Sequence, residues 1–318
     1  MSNYSALITG ASGFIGQQLS SDLLALGNHT RLLVRDPERL PSVLRNHPLS
    51  EVVVGDLRHS EPLSALVNGV DRIFHLAGRA HIFDKDVAYA EAEYRAVNVL
   101  ASQRLAEAAG ANGVRRLVYV SSIKVNGEET HATPFRADDT PAPEDAYGRS
   151  KLAAEQTLFD VSQATGMELC VVRPPLVYGP GVRANFARLM NMVKSGWPIP
   201  FGAIDNRRSL VGVRNLTDLL RRCGEHPNAA GQVFLAGDGE SLSTAELIRR
   251  IAAAQSRKPK LWNIPPALLG AALTLLGKGP EWRRLSGNLE VDIHHTLERL
   301  DWQPPFSMQA ELQAMQHA

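Results

Sequence analysis

The sequence has few of the residues from which disulfide frameworks and zinc sites are built. Its 318 residues include two cysteines, Cys170 and Cys223, and no CxxC pair. We therefore expect two buried thiols and no metal site. The chain also lacks an excess of charge, since 34 Lys and Arg oppose 33 Asp and Glu. Bulk electrostatics gives no reason to expect a nucleic-acid or membrane partner.

Long apolar runs are absent too. The chain passes from Met1–Ser5 directly into an apolar strand, with no basic leader, so we expect a cytoplasmic protein. The most apolar later stretch, residues 264–276, contains two prolines and Gly270. It is shorter than the ~20 residues that span a bilayer. We expect a buried helix of a small second domain; a helix lying on a membrane surface is the alternative.

A strand, a glycine turn and a helix begin the chain. An apolar strand at 6–8 precedes glycines at 10, 13 and 16, and a helix is predicted at 17–26. Such glycines turn the chain tightly and let the backbone approach a pyrophosphate at the helix N-terminus. A purely structural βα turn is the alternative. The residues predicted to contact a dinucleotide here are Gly10, Ser12, Gly13, Phe14, Ile15 and Gly16.

The end of the second strand indicates which dinucleotide is bound. Arg35 follows the strand predicted at 30–34, about 20 residues past the glycines, where an acidic residue would hold the ribose 2′-hydroxyl of NAD. An arginine suits the 2′-phosphate of NADP instead. The alternative is a surface arginine paired with Asp36 or Glu38. We predict NADP(H) as the preferred cofactor, with NAD(H) as the alternative.

Strands and helices continue to alternate, which predicts an α/β fold built on a doubly wound parallel sheet of the Rossmann type. Helices are predicted at 62–67, 88–109 and 146–164, and strands at 52–54, 116–120 and 167–172, with a further strand and its exit turn together at 71–78. Ligands bind beyond the carboxyl ends of such strands. The residues expected there near the cofactor are Asp56, Leu57, Leu76, Ala77 and Gly78. Arg79 and His81 follow at the mouth of the site and are expected to face substrate.

The alternation breaks after residue 172. We predict a dinucleotide-binding domain at 1–172, to which 203–238 returns, and a smaller C-terminal α/β domain at 173–318 that mainly binds substrate. Ser243 is predicted to cap a helix at 243–254, with Glu246 completing a capping box. Further helices are predicted at 186–195 and 216–222, and strands at 207–213 and 232–236.

Tyr147 and Lys151 carry the chemistry. Residues four apart lie on one face of a helix, so the ammonium of Lys151 is expected near the phenol of Tyr147. A nearby cation lowers the pKa of a phenol from about 10, and such a phenol exchanges protons with a sugar hydroxyl or ketone. Ser122 ends the fifth strand and is expected to hydrogen-bond the reacting oxygen; a serine that merely caps the strand is the alternative.

With these motifs in order, the chain resembles the extended short-chain dehydrogenase/reductases, in the branch near UDP-glucose 4-epimerases. The other matching pieces are 75–78, Asn98, Arg173-Pro174, 177–180 and 300–304. The resemblance implies a catalytic triad of Ser122, Tyr147 and Lys151, in which Tyr147 is the acid/base and Lys151 binds the nicotinamide ribose. It also implies cofactor contacts from Asn98, Pro174, Tyr147 and Lys151, and a homodimer formed through the helices predicted at 88–109 and 147–164.

The resemblance further implies a UDP-sugar substrate, with its diphosphate held by Asn185, Arg208 and either Arg283 or Arg284. Two positions depart from related enzymes. Ile123 and Lys124 stand where sugar 4,6-dehydratases have Asp-Glu, which argues against a dehydratase. Leu176 replaces an asparagine that is common near the sugar, which argues against the usual epimerase pose.

The segment 121–128 is similar to that of enzymes that reduce UDP-4-keto-6-deoxy-N-acetylhexosamines to UDP-N-acetylquinosamine or its fucosamine epimer. Together with Arg35, this favours an NADP(H)-dependent 4-keto reductase in O-antigen sugar synthesis. A UDP-sugar 4-epimerase with retained NAD is the alternative. A non-catalytic NADP sensor is a third, although a sensor has no need of a tuned phenol.

Overall fold

The computed structural model describes residues 3–59, 62–80, 87–182 and 184–316, without the side chains of Val87, Ala184, Asn185 and Pro280. His81 lies outside these residues. A seven-stranded parallel sheet has the order β3-β2-β1-β4-β5-β6-β9. Its strands are β1 (Ser5–Thr9), β2 (His29–Val34), β3 (Ser50–Val54), β4 (Arg72–His75), β5 (Arg116–Val120), β6 (Glu168–Arg173) and β9 (Gln232–Leu235).

Helices cover both faces of this sheet because its strands are apolar on both sides. Ala6 and Ile8 of β1 join the core under one helical layer, and Leu7 joins the core under the other. The first layer contains α1 (Phe14–Ala25) and α8 (Val213–Glu225). The second contains α3 (Leu63–Val67), α5 (Ala101–Ala111) and α6 (Ala146–Thr165), while the short α2 (Ser42–Arg45) precedes β3. The predicted doubly wound sheet is confirmed.

The helix predicted at 88–109 is a composite. It begins as α4 (Val87–Tyr94), widens into a π-helical segment over Arg95–Leu100, and continues as α5. The long helix predicted at 88–109 is confirmed, but its π-helical segment was not predicted, because apolar spacing does not reveal a register shift of one residue. The π-helical segment contains Asn98.

A second lobe follows β6. Its three-stranded sheet has the order β10-β8-β7, from β7 (Leu176–Tyr178), β8 (Arg208–Gly212) and β10 (Ser241–Leu242). Side chains from α7 (Ala184–Ser195), α9 (Thr244–Ala254) and α13 (Met308–Ala314) pack into one core with this sheet. The predicted cap of α9 is confirmed, since the Glu246 amide donates to Ser243 Oγ at 3.1 Å.

The prediction of a buried helix at 264–276 was wrong. A helix does form there, α10 (Pro266–Leu275), but none of its residues is buried. It forms a hairpin with α11 (Gly279–Ser286), ahead of α12 (His294–Leu300). In the described part of the chain no helix is both long and apolar enough to cross a bilayer. Cys170 and Cys223 are buried free thiols.

Candidate functional site

The glycine turn lies where β1 meets the N-terminus of α1. Gly10 has a φ of +71°, and a Cβ there would lie 2.9 Å from the backbone nitrogen of Ala77. A Cβ on Gly16 would collide with the Gly10 carbonyl oxygen and come within 2.8 Å of Ala11 Cα. Only glycine fits these two positions, so the helix N-terminus packs closely on the strand ends and its amides stay accessible to an anion.

An open cleft of about 470 Å³ runs from this turn across the carboxyl ends of β1, β2, β3 and β4. Nine residues predicted to bind a dinucleotide line it: Gly10, Ser12, Gly13, Arg35, Asp56, Leu57, Leu76, Ala77 and Gly78. The lining residues that sequence reasoning missed are Leu33, Val34, Arg39, Gly55, Arg58, Val97 and Ala101. Arg39 and Arg58 could have been found, because each follows a predicted cofactor residue by two to four positions. The other predicted cofactor residues, which do not line this cleft, are Phe14, Ile15, Gly16, Asn98, Tyr147, Lys151 and Pro174.

A chain of ion pairs lies along one wall of the cleft. Arg58 contacts Asp56 at 2.9 Å, and Glu93 contacts Arg79 at 2.5 Å and Arg58 at 3.9 Å. Hydrogen bonds from Arg58, with a smaller contribution from Arg35, lower the pKa of Asp56 to about 2. Arg79 was predicted to face substrate, and the structure places it on this cleft among the residues predicted to bind a dinucleotide, paired with Glu93.

Asn98 is buried and joins three elements. Its Oδ1 accepts from the Arg79 amide at 2.8 Å, and its Nδ2 donates to the Arg79 carbonyl and to Ser150 Oγ at 3.1 and 2.9 Å. The π-helical segment therefore holds the turn after β4 against α6. A Cβ on Gly78 would lie 3.3 Å from Asn98 Oδ1 and 3.8 Å from Lys151 Nζ.

Tyr147 lies in the first turn of α6, with its phenol near Ser122, two residues beyond the end of β5. Burial raises the pKa of the phenol to about 12, although the Ser122 hydroxyl acts in the opposite direction. The expectation that Lys151 lowers this pKa was wrong for the protein alone. Spacing along a helix places the two residues on one face, but it does not report burial, which dominates here.

Lys151 is buried, and its ammonium interacts with the backbone and a ring. Its Nζ donates to the Val120 carbonyl at 2.7 Å and lies 4.1 Å from the centroid of the Tyr119 ring. Burial lowers the pKa of Lys151 to about 7, while the carboxylate of Glu155 acts to raise it. Near neutral pH the site therefore contains a protonated phenol and an amine that is partly charged.

A short ion-pair network connects the Ser122 turn to the helix of Tyr147. Lys124 Nζ contacts Asp145 and Glu128 at 2.5 and 2.6 Å. Asp145 caps α6 by accepting from the Gly148 amide at 2.7 Å. Burial lowers the pKa of Lys124, but its hydrogen bonds to these carboxylates outweigh burial and the pKa is raised. Sequence reasoning used Lys124 only to exclude a dehydratase, and nothing in the spacing indicated this contact.

The residues predicted to hold a substrate diphosphate lie on the second lobe. Arg208, on β8, is partly buried and donates to the Gly287 carbonyl at 3.0 Å. Burial lowers its pKa, with an opposing contribution from Glu129. Arg283 and Arg284 are exposed near the end of α11, and Asn185 lies in the first turn of α7, with its side chain outside the described part. Leu176 begins β7 and is 46% exposed.

Known proteins resemble this chain along most of its length. The profile of the NAD dependent epimerase/dehydratase family matches residues 6–237. A UDP-glucose 4-epimerase of Vibrio cholerae is 42% identical over 309 residues, 96% of this chain and 92% of that protein. A 3-beta-hydroxysteroid dehydrogenase of Mycolicibacterium neoaurum is 32% identical over 79% of this chain and 70% of its own length.

Solved structures agree with these matches. The structure of MoeE5 in complex with UDP-glucose and NAD is 26% identical and covers 98% of this chain and 97% of its own, with a TM-score of 0.76. A UDP-N-acetylglucosamine 4-epimerase from Bacillus cereus has the same fold at a TM-score of 0.80, 22% identity and 98% coverage of both chains. The chain therefore belongs to the NAD dependent epimerase/dehydratase family, and is an extended short-chain dehydrogenase/reductase enzyme of the nucleotide-sugar branch.

Proposed function

We propose that the protein is a UDP-sugar 4-epimerase that retains its dinucleotide between turnovers. The observation that favours this over a reductase is the 42% identity to a UDP-glucose 4-epimerase across 96% of the chain. Ser122, two residues beyond the end of β5, and Tyr147, whose phenol lies near it in the first turn of α6, supply the groups that such a reaction needs. The 4-keto reductase, which Arg35 and the segment 121–128 favour, is the second candidate.

The protein's own residues would hold the cofactor and move the proton. The glycine turn and the cleft residues would bind the dinucleotide, which when bound accepts a hydride from the sugar C4 and returns it. Tyr147 would take the proton of the C4 hydroxyl and later give it back to the same oxygen. Ser122 would orient that oxygen. Lys151, whose Nζ lies 2.7 Å from the Val120 carbonyl oxygen, would supply positive charge next to the nicotinamide ring.

The buried phenol needs help to act as a base. With a pKa of about 12, Tyr147 is almost fully protonated at neutral pH in the protein alone. Binding of the cofactor would bring a positive charge near the Tyr147 oxygen, and this charge would stabilise the phenolate form. Tyr147 would then remove a proton only after the cofactor is bound.

The 4-keto reductase remains the second candidate because of the charge around Arg35. Arg35 and Arg39 both line the cleft near the end of β2. Two guanidinium groups there suit the 2′-phosphate of NADP(H), the cofactor that a reductase consumes. For the substrate, we propose that Arg208, Asn185 and Arg283 bind the UDP diphosphate, with Arg79 and His81 near the mouth of the site.

One experiment separates the candidates. The purified protein is incubated with UDP-glucose, or with UDP-N-acetylglucosamine, without added reductant, and the products are resolved by chromatography. An epimerase forms the galacto epimer under these conditions. Turnover only with a UDP-4-keto-6-deoxyhexosamine, together with oxidation of added NADPH, would favour the reductase. Tight NADP binding without turnover of any of these sugars would favour the sensor.

A further inference from the structure

The second lobe carries an apolar helical hairpin that the rest of the described chain does not cover. We call residues 262–286, which contain α10 and α11, the apolar hairpin. Leu268, Leu275 and Leu276 are 63%, 87% and 71% exposed, and no residue of α10 is buried. A helix that is apolar around its whole circumference is normally buried in protein or in lipid. This surface therefore indicates a partner.

The hairpin is firmly built with its leucines outward. A Cβ on Gly270 would lie 2.6 Å from Trp282 Nε1, so the indole packs directly on α10. At one end, the Trp262 amide donates to the Ile199 carbonyl at 2.9 Å. At the other end, the Leu285 carbonyl accepts from Asn206 Nδ2 and from Thr244 Oγ1, at 3.1 and 2.8 Å. The hairpin is therefore held in place at both ends, and its leucines are exposed in this fixed arrangement.

The positive charge of the chain is concentrated in the hairpin and in the five residues before it. Residues 257–286 contain six basic residues and one acidic residue, Glu281, for a net charge of +5. The remainder holds 28 basic and 32 acidic residues, for a net charge of −4. All six cations are exposed, and within the described ranges none of them forms an ion pair. They are Arg257, Lys258, Lys260, Lys278, Arg283 and Arg284.

The charge of the hairpin and the length of α10 indicate which kind of partner would cover this surface. A second copy of the chain would bring two such positive surfaces together, which like-charge repulsion opposes. Ten residues of α10 extend about 15 Å, half the hydrocarbon thickness of a bilayer, so the helix cannot span one. Trp197 and Trp262, 74% and 58% exposed, belong to segments 197–202 and 260–262, which are hydrogen-bonded to each other through Ile199 and Gly202. Exposed tryptophans are typical of the membrane–water interface.

We propose that the apolar hairpin docks this enzyme on an anionic phospholipid bilayer. The leucines of α10 lie at the boundary between headgroups and acyl chains, and the surrounding cations other than Arg283 contact the lipid phosphates. Gly287 follows the hairpin directly and its carbonyl accepts from Arg208, so the docked surface is next to a residue that would bind the substrate diphosphate. Lipid binding itself requires neither substrate nor cofactor and is independent of the proposed reaction.

The test is co-sedimentation of the full chain with vesicles of phosphatidylcholine that contain phosphatidylglycerol, compared with vesicles of phosphatidylcholine alone. We expect binding to the anionic vesicles that falls with rising salt. Lys258→Gln with Lys260→Gln should weaken this binding about 30-fold, and Leu275→Gln with Leu276→Gln at least as much. All four side chains are exposed, so both variants should keep the fold.

Two controls make comparable changes elsewhere. Val43→Gln replaces an apolar side chain that is 71% exposed on α2, and Arg115→Gln with Arg299→Gln removes two exposed cations outside residues 257–286. Both should bind vesicles like the unaltered protein. Equal binding to the two vesicle types, equal losses in the controls, or no binding would overturn the proposal. The proposal would also be overturned if the unaltered protein self-associated without binding vesicles and if Leu275→Gln with Leu276→Gln abolished that self-association.

Discussion

Tyr147 and Lys151 share one face of α6, but different neighbours determine the pKa of each side chain. The phenol lies near the Ser122 hydroxyl, while the ammonium of Lys151 donates to the Val120 carbonyl and lies over the Tyr119 ring. We expect Tyr147→Phe to lower kcat by about 10²–10⁴-fold, because the acid/base group is lost, and to leave the Kd of the dinucleotide nearly unchanged. Steady-state kinetics and fluorescence titration measure the two quantities.

Tyr119→Phe is the matched control for this change. The Tyr119 hydroxyl is buried and has no hydrogen-bond partner in the described part of the chain, and phenylalanine keeps the ring beneath Lys151. Its kcat should equal that of the unaltered enzyme. An equal loss of kcat in both variants would contradict the role of Tyr147.

The depressed pKa of Lys151 makes a prediction about stability. The amine has a pKa of about 7 in the folded protein and about 10.5 when unfolded. Between these values the unfolded chain binds more protons, so stability rises with pH across this window, and the charged amine is most costly below pH 7. Lys151→Met should therefore raise the free energy of unfolding by a few kcal/mol near pH 6, and by less near pH 10.

Urea unfolding of both proteins across this pH range measures the difference. A gain that stays constant or grows with pH would show that Lys151 is not forced to lose its charge on folding. Turnover reports separately on the role of the amine, since Lys151→Met should be inactive at every pH.

Arg35 tests cofactor choice at the scale of one side chain. Arg35→Asp replaces a cation on the cleft with an anion that repels a 2′-phosphate and suits a ribose 2′-hydroxyl. The ratio of the Kd values for NADP and NAD should shift by about 10–100-fold towards NAD. Arg299→Asp, on α12, is the control and should leave the ratio unchanged. An unaltered ratio in Arg35→Asp would remove this residue from cofactor recognition.

At the scale of elements, the N-terminus of α6 is held by a cap that also contacts the Ser122 turn. Asp145 accepts from the Gly148 amide and pairs with Lys124. Asp145→Ala should lower the free energy of unfolding by about 1–2 kcal/mol, since a cap is lost. It should also lower kcat, because Tyr147 begins the same helix.

Ser243→Ala removes the corresponding cap from α9, because the Ser243 hydroxyl accepts a hydrogen bond from the Glu246 amide. It should cost similar stability while leaving kcat unchanged. Asp145→Asn retains an acceptor for Gly148 and should recover most of the stability. If the two alanine variants have the same kcat, the Lys124–Asp145 contact does not position Tyr147.

The elements differ in how far the sequence predicts them. In the first 172 residues local signals agree: glycines at 10 and 16 fit only a close βα turn, and β5 was predicted to the residue. The apolar spacing of 264–276 predicts a helix but not its surroundings, since α10 would have the same sequence under protein or under lipid. The raised pKa of Tyr147 and the network of Lys124 depend on burial and on contacts between distant segments, which spacing does not encode.

At the scale of the whole molecule, the layer formed by α4, the π-helical segment, α5 and α6 covers one face of the sheet, and Leu100 on it is 43% exposed. The family resemblance implies a homodimer through these helices. In a two-fold interface each residue occurs twice, so one introduced charge is placed there twice. We predict that the enzyme sediments as a dimer and that Leu100→Arg raises the dimer Kd at least tenfold. Leu276→Gln, on the apolar hairpin, should remain dimeric, because we propose that this surface binds lipid. Analytical ultracentrifugation measures the dimer Kd of both variants. If Leu276→Gln weakened the dimer and Leu100→Arg did not, the hairpin would be the dimer interface.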